Sequence, residues 1–368
     1  MLATLALPIL GYSGPAEARV ITMGPTGKYS TLAAAVGAAS AGATIDIEAG
    51  IYVNQDADIT VPFTIQGIGS VVFTATGQLS NDKGFLVIDA TTTVENLTFE
   101  HALADPSSNN GAGIRYQQGN LTVLDSRFID DQDGILATPD VAGTGTVTVR
   151  GSLFQGNGIA SGPGSGYAHG LYATYLASLT VTGSSFTGTL AGHDIKSRAA
   201  NTLVAGNDLD DGVTGTASYA IDLPNGGNAR IIANTIDQGP HTSNPTMIAY
   251  GEEGLLYDGN SVLIDGNSFA NTRPGPAYGV NDAVSSPATA HLTVACNTFV
   301  GVSNPAVGAA TFTGNVIDGP LPACAITLGA PGGVAALLPG LLVLLGTWRS
   351  IRRGGVSPGG PSCAGSSC

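Results

Sequence analysis

The chain has 368 residues, a net charge of −14 and 53 glycines, and only 11% of its residues are charged. With no basic surplus to neutralise phosphates, nucleic acid is excluded as a partner. Hydrophobic residues make up 43%, ample for a core, which excludes disorder, while aromatics at 6% leave that core small and β-branched and disfavour helix bundles.

Residues 1–18 read as a signal peptide. The apolar run Leu2–Leu10 is followed by Ala16-Glu17-Ala18, a small-residue cleavage site. Lys28-Tyr29-Ser30-Thr31 then leads into Leu32-Ala33-Ala34-Ala35-Val36, a short helix expected to cover the first open sheet edge. Ile45-Asp46-Ile47, Gly50-Ile51-Tyr52-Val53 and Phe63-Thr64-Ile65 follow as early strands.

From Val94 onward one unit repeats. Phe99, Phe128, Phe154, Phe186, Leu209, Ile236, Phe269, Phe299 and Ile317 recur at intervals of 18 to 33 residues. Most copies are preceded by an alternating segment such as Leu121-Thr122-Val123 or Val147-Thr148-Val149. A period of this size marks a solenoid, and alternation by two makes each unit a strand. A second strand follows in most units, centred on Ile114, Ile135, Leu171, Ile195, Ile221 and Ile248. One such rung cannot bury its apolar face alone, whereas stacked rungs share a core. From Phe128 onward, two residues before each bulky residue stands Ser or Asn, ending in Asn207, Asn234, Asn267, Asn297 and Asn315. Asn tolerates left-handed backbone at a bend, and stacked amides hydrogen-bond from rung to rung.

The coil is expected over 19–322, followed by a linker and apolar segment (323–353) and a disordered tail (354–368). Val334–Leu345, Trp348 and then Arg349, Arg352 and Arg353 resemble the sorting tails of bacterial surface proteins. That resemblance implies export to the cell envelope and a partnership with sorting or membrane machinery. Cys296 and Cys324 are available to pair in an exported protein, and none of the four cysteines has metal-ligand spacing.

The order of Lys28-Tyr29-Ser30-Thr31, Ala-rich helix, strand, Ala49-Gly50-Ile51-Tyr52 and rungs resembles the pectin-lyase-like superfamily, over roughly residues 20 to 320. The resemblance implies an all-β fold: a single-stranded right-handed parallel β-helix, monomeric, with a short N-terminal capping helix. That fold hosts lyases, hydrolases, epimerases and adhesins, so function must come from the site.

If the central apolar residue of each second strand points inward, its neighbours point outward. The outward column then reads Arg115, Leu136, Tyr172, Lys196, Asp222 and Ala249, with Asp194 and Arg198 one pleat to either side of Lys196. His169 and His193 start their strands at equivalent positions, and Tyr250 and Glu252 lie one rung beyond Asp222. Mixed charges at this density suit a uronic-acid polysaccharide. β-Elimination needs the sugar carboxylate neutralised, a base for the adjacent C–H, and an acid for the leaving oxygen. Ile195-Lys196-Ser197-Arg198 is similar to the Lys-Ser segment of β-helical alginate and chondroitin lyases, which implies Lys196 as the base. Arg198, Tyr172 and His193 complete the catalytic set, and Arg115, His169, Asp194, Asp222, Tyr250 and Glu252 form the substrate-binding set. One alternative is hydrolysis by paired carboxylates, Asp194 with Asp222 or Glu252 with Glu253. Another is a non-catalytic carbohydrate-binding or adhesive surface protein. These readings name no cofactor other than a candidate Ca2+. Asp130-Asp131 and Asp210-Asp211 read as turn residues, with Ca2+ binding as the alternative.

Overall fold

The structure, a computed structural model, describes residues 19–105, 108, 111–284 and 291–319. The signal-peptide and C-terminal sorting segments expected from sequence lie outside these residues. Within them the chain is a right-handed parallel β-helix. Its strands form one 21-stranded and one 10-stranded sheet, with every strand pairing to the equivalent strand of the next rung. The bulky residues stack in register, Phe99 against Phe128, Phe128 against Phe154 and Phe154 against Phe186. The Phe154 and Phe186 rings are stacked, 4.4 Å apart and nearly parallel. The column passes through Leu209 and Ile236 and returns to Phe269 and Phe299.

This stack explains the glycines that open several second strands. A Cβ on Gly113 or Gly134 would stand 2.6 Å from the ring of Phe128 or Phe154. Only hydrogen fits there, because the aromatic column fills the place of a side chain. A helix over Leu32–Gly37, N-capped by Thr31, buries Leu32, Ala35 and Val36 near the first rungs.

The polar ladder is continuous. The backbone N–H and Nδ2 of Asn207 both donate to Oδ1 of Asn234, at 2.9 and 3.0 Å. Asn234 donates in the same way to Asn267, Asn267 to Asn297 and Asn297 to Asn315. On the earlier rungs Ser126, Ser152 and Ser184 continue it through their hydroxyls. One detail differs from the sequence reading. The left-handed residue is the one before the ladder residue: Asp125, Gly151, Gly183, Gly206, Ala233, Gly266, Cys296 and Gly314. The ladder Asn keeps ordinary backbone because its amide must aim along the coil axis. Cys296 is disulfide-bonded; the other three cysteines lie outside the described residues.

Asp131 and Asp211 are not exposed turn residues. They are 1% and 6% exposed, and their carboxyls cap backbone N–H groups of Ala102 and Gly239. Among the described residues no group of three or more His, Cys, Asp and Glu is placed to hold a metal ion.

Candidate active site

Strand pairing aligns Ile114, Ile135, Leu171, Ile195, Ile221 and Ile248 in one buried column. Their neighbours Tyr172, Lys196 and Asp222 therefore stand side by side on three successive rungs of the outer face. Rungs repeat at about 4.8 Å, so these side chains are obliged to touch.

Lys196 Nζ lies 3.0 Å from Asp222 Oδ2 and 3.6 Å from Glu253 Oε1. It also stands 5.7 Å from the Tyr172 ring centroid, and the Arg198 guanidinium stands 5.9 Å from the same ring. Arg198 Nε donates to Tyr172 Oη at 2.9 Å. Its two Nη groups grip Glu253 as a fork, at 2.6 and 2.8 Å, and Nη1 also donates to Asn225 Oδ1. Lys196 and Arg198 side chains are 13% and 12% exposed, while Glu253 at 46% forms their outer cover. The Arg198 carbonyl accepts the Tyr257 hydroxyl at 2.5 Å, which ties this corner to the following loop.

Behind the cations a ring stack runs along the coil. His169 and His193 lie 4.8 Å apart, and Tyr219 lies 5.0 Å beyond His193. His193 N–H donates to Nδ1 of His169, and Tyr219 N–H donates to Nδ1 of His193. An accepting Nδ1 fixes the neutral tautomer with hydrogen on Nε2. Burial, with the nearby cations adding to it, holds His169 well below the usual imidazole range. Burial also brings His193 down to about 4, against an opposing pull from Asp222. Nε2 of His193 lies 3.3 Å from Asp222 Oδ2, so the ring packs beside the carboxylate.

Two adjacent carboxyls are pushed in opposite directions. Surrounding protein, then the hydrogen bond and charge of Asp222, raise Glu252 to about 9, so it keeps its proton at neutral pH. The Arg198 hydrogen bond holds Glu253 below its usual value. Beside Glu252 opens a groove of about 1010 Å³, lined by Leu255, Tyr257, Asp258, Asn260 and His291 among others.

Three residues named from sequence fall elsewhere. Arg115 is two rungs from Tyr172, beyond the buried Leu136, and stands near Asp133 instead. Asp194 is 1% exposed and faces Asp211 and Thr189 inside the corner that precedes the strand Ile195–Ser197. Tyr250 points into the core, 0% exposed, with its hydroxyl donating to the Gly227 carbonyl. It shares parity with Ile248, and that parity was the signal for an inward side chain. His169 is buried beneath Tyr172, edge-on at 5.1 Å, and supports that ring from below. Asn225 and Tyr219 join the site without having been assigned to it, and Glu253, named from sequence only in the hydrolytic pair with Glu252, joins it as the partner of Arg198.

No protein-family model matches the chain, and no curated protein sequence does. Among solved structures, an alginate lyase from Paenibacillus sp. str. FPU-7 aligns with a TM-score of 0.52 at 16% identity, over 82% of this chain and 99% of that one. A PL6 family alginate lyase aligns at 0.37 and 13% identity, over 81% of this chain and 39% of that one. A pectin methylesterase from Aspergillus niger aligns at 0.33 and 13% identity, over 83% and 86%. All three are parallel β-helix proteins. The first likeness agrees with the strand pairing described above: this chain is a right-handed parallel β-helix protein.

Proposed function

We propose that the chain is an exported polysaccharide-active protein that cleaves a uronic-acid-containing polymer by β-elimination at the Tyr172–Lys196–Arg198 face. The observation that carries the reading is the meeting of two cations over one tyrosine ring, in a chain with only 13 Lys and Arg. A uronate carboxylate between them would be charge-balanced, which makes the adjacent C–H more acidic. Tyr172 acts as its phenolate, its own proton lost to solvent and its Oη held by the Arg198 Nε–H, and takes the C–H proton. The electron pair becomes a carbon–carbon double bond as the C–O bond to the leaving sugar breaks. Glu252, protonated at neutral pH, supplies the proton to the leaving oxygen. Lys196, paired with Asp222, meets the substrate as an ammonium and binds its carboxylate, in place of the base role drawn from the lyase resemblance. His193 packs beside Asp222.

The similarity of fold to an alginate lyase supports this substrate class, and the disulfide at Cys296 supports an oxidising, exported setting. A second reading is hydrolysis. It is favoured by the split between Glu252 and Glu253, one protonated and one ionised. It is disfavoured because Arg198 already engages both oxygens of Glu253.

Incubation with alginate, pectate and glycosaminoglycans separates the readings. Elimination gives unsaturated uronides that absorb in the ultraviolet. Reducing ends without that absorbance mean hydrolysis. Glycan binding without either product means a non-catalytic surface protein, and the enzymatic proposal falls.

A further inference from the structure

The anion site of this face is already filled, and the group that fills it belongs to the chain. Glu253 presents both carboxylate oxygens to both Nη groups of Arg198, at 2.6 and 2.8 Å, and Oε1 stands 3.6 Å from Lys196. This planar fork is the geometry in which a guanidinium receives a free carboxylate. The cations are nearly enclosed, while the Glu253 side chain is 46% exposed. The carboxylate can therefore leave without opening the core. Its segment is held independently by backbone bonds, Glu253 N–H to the Pro224 carbonyl at 2.9 Å and Leu256 N–H to the Asn225 carbonyl at 3.0 Å. Arg198 keeps Tyr172 and Asn225 as partners if Glu253 swings out.

We infer that Glu253 is an intramolecular placeholder for the carboxylate of an acidic sugar, displaced from Arg198 and Lys196 when that sugar binds. Glu253 thereby sets the affinity of the site for anionic over neutral saccharides. The inference rests on the uronate reading for the identity of the ligand and does not depend on turnover. A placeholder lowers affinity for every carboxylate competitor, because binding must first break a charge-assisted fork. Its removal leaves a cationic pocket that an incoming carboxylate enters without competition. A merely structural ion pair would behave in the opposite way, with its loss loosening Arg198 and weakening all ligands.

The test is calorimetric binding of trimannuronate, triguluronate and trigalacturonate, and of their carboxyl-reduced neutral counterparts. The wild-type chain is compared with Glu253→Gln and Glu253→Ala. Both variants are expected to bind at least one acidic trimer about tenfold more tightly, a shift of about 1.4 kcal/mol, with the neutral counterpart unchanged. In an Arg198→Ala background the gain from Glu253→Ala disappears. Equal or weaker acidic binding by both Glu253 variants overturns the inference, as does no acidic binding by any of the proteins. A thermal melt of each variant identifies any that fails to fold, and Glu253→Gln preserves the shape of the side chain. Tighter acidic binding without cleavage of any polymer sustains the placeholder while removing the lyase proposal, so the two fail separately.

Discussion

Lys196 and Asp222 occupy the same position on neighbouring rungs, and the ammonium stands 3.0 Å from a carboxylate whose side chain is only 2% exposed. Removing one partner leaves the other charge buried without its main counter-ion. Lys196→Ala is therefore expected to abolish uronide release and also to cost about 3 kcal/mol of stability, read from urea unfolding. The double change Lys196→Met with Asp222→Asn is expected to recover most of the stability and none of the activity. Wild-type stability in Lys196→Ala would show that the pair contributes nothing to the fold.

Glu252 gives an alkaline dependence. Its carboxyl titrates at about 9 in the folded chain against an ordinary 4.5. Between those limits the folded state holds a proton that the unfolded state has released. The stabilisation is complete below the ordinary value and is lost as pH rises through the folded one. Urea midpoints are expected to fall from pH 5 to pH 9.5 by more in the wild type than in Glu252→Gln. Parallel curves for the two proteins would show that Glu252 is not the group responsible.

His193 acts in the opposite sense. Burial lowers it from 6.5 to about 4, so the unfolded chain takes up a proton first as pH falls. Its contribution is present above the ordinary value and lost as pH drops through the folded one. Imidazole C–H resonances followed by NMR are expected to hold their neutral positions from pH 7 to pH 5. A midpoint above 6 would mean that Nδ1 does not accept the Tyr219 N–H in solution.

The amide ladder has its own test. Oδ1 of Asn234 accepts two bonds from Asn207, and its Nδ2 donates to the Val204 carbonyl and to Asn267. Asn234→Ala orphans buried donors on Asn207 and is expected to cost about 3 kcal/mol. Asn234→Ser, which installs the hydroxyl used at Ser152 and Ser184, is expected to cost about half as much. Equal losses would mean that packing, and not hydrogen bonding, sets the value of the position.

The register of the outer face was legible in the sequence because each second strand carries one central apolar residue. Aligning Leu171, Ile195 and Ile221 was enough to bring Tyr172, Lys196 and Asp222 together. Alternation failed where the strand stops. Asp194 stands at the corner before the strand Ile195–Ser197, where its carboxyl turns inward beside Asp211, and no pattern of two describes it. That Asn225 and Glu253 meet Arg198 was hidden for a related reason. They arrive from loops of 27 and 55 residues' separation from Arg198, and a periodic reading carries no information about where such loops return. The left-handed corners were misplaced by one position because Gly and Asn alternate as neighbours there, as in Gly206-Asn207 and Gly266-Asn267.

The ladder ties each turn of the coil to the next through side chains that never span the outer loops. A protease nicking the exposed stretch around Gly162 and Gly164 would sever the covalent thread and leave Ser152 still joined to Ser184. The two fragments would stay clasped and migrate as one particle until a denaturant prised them apart.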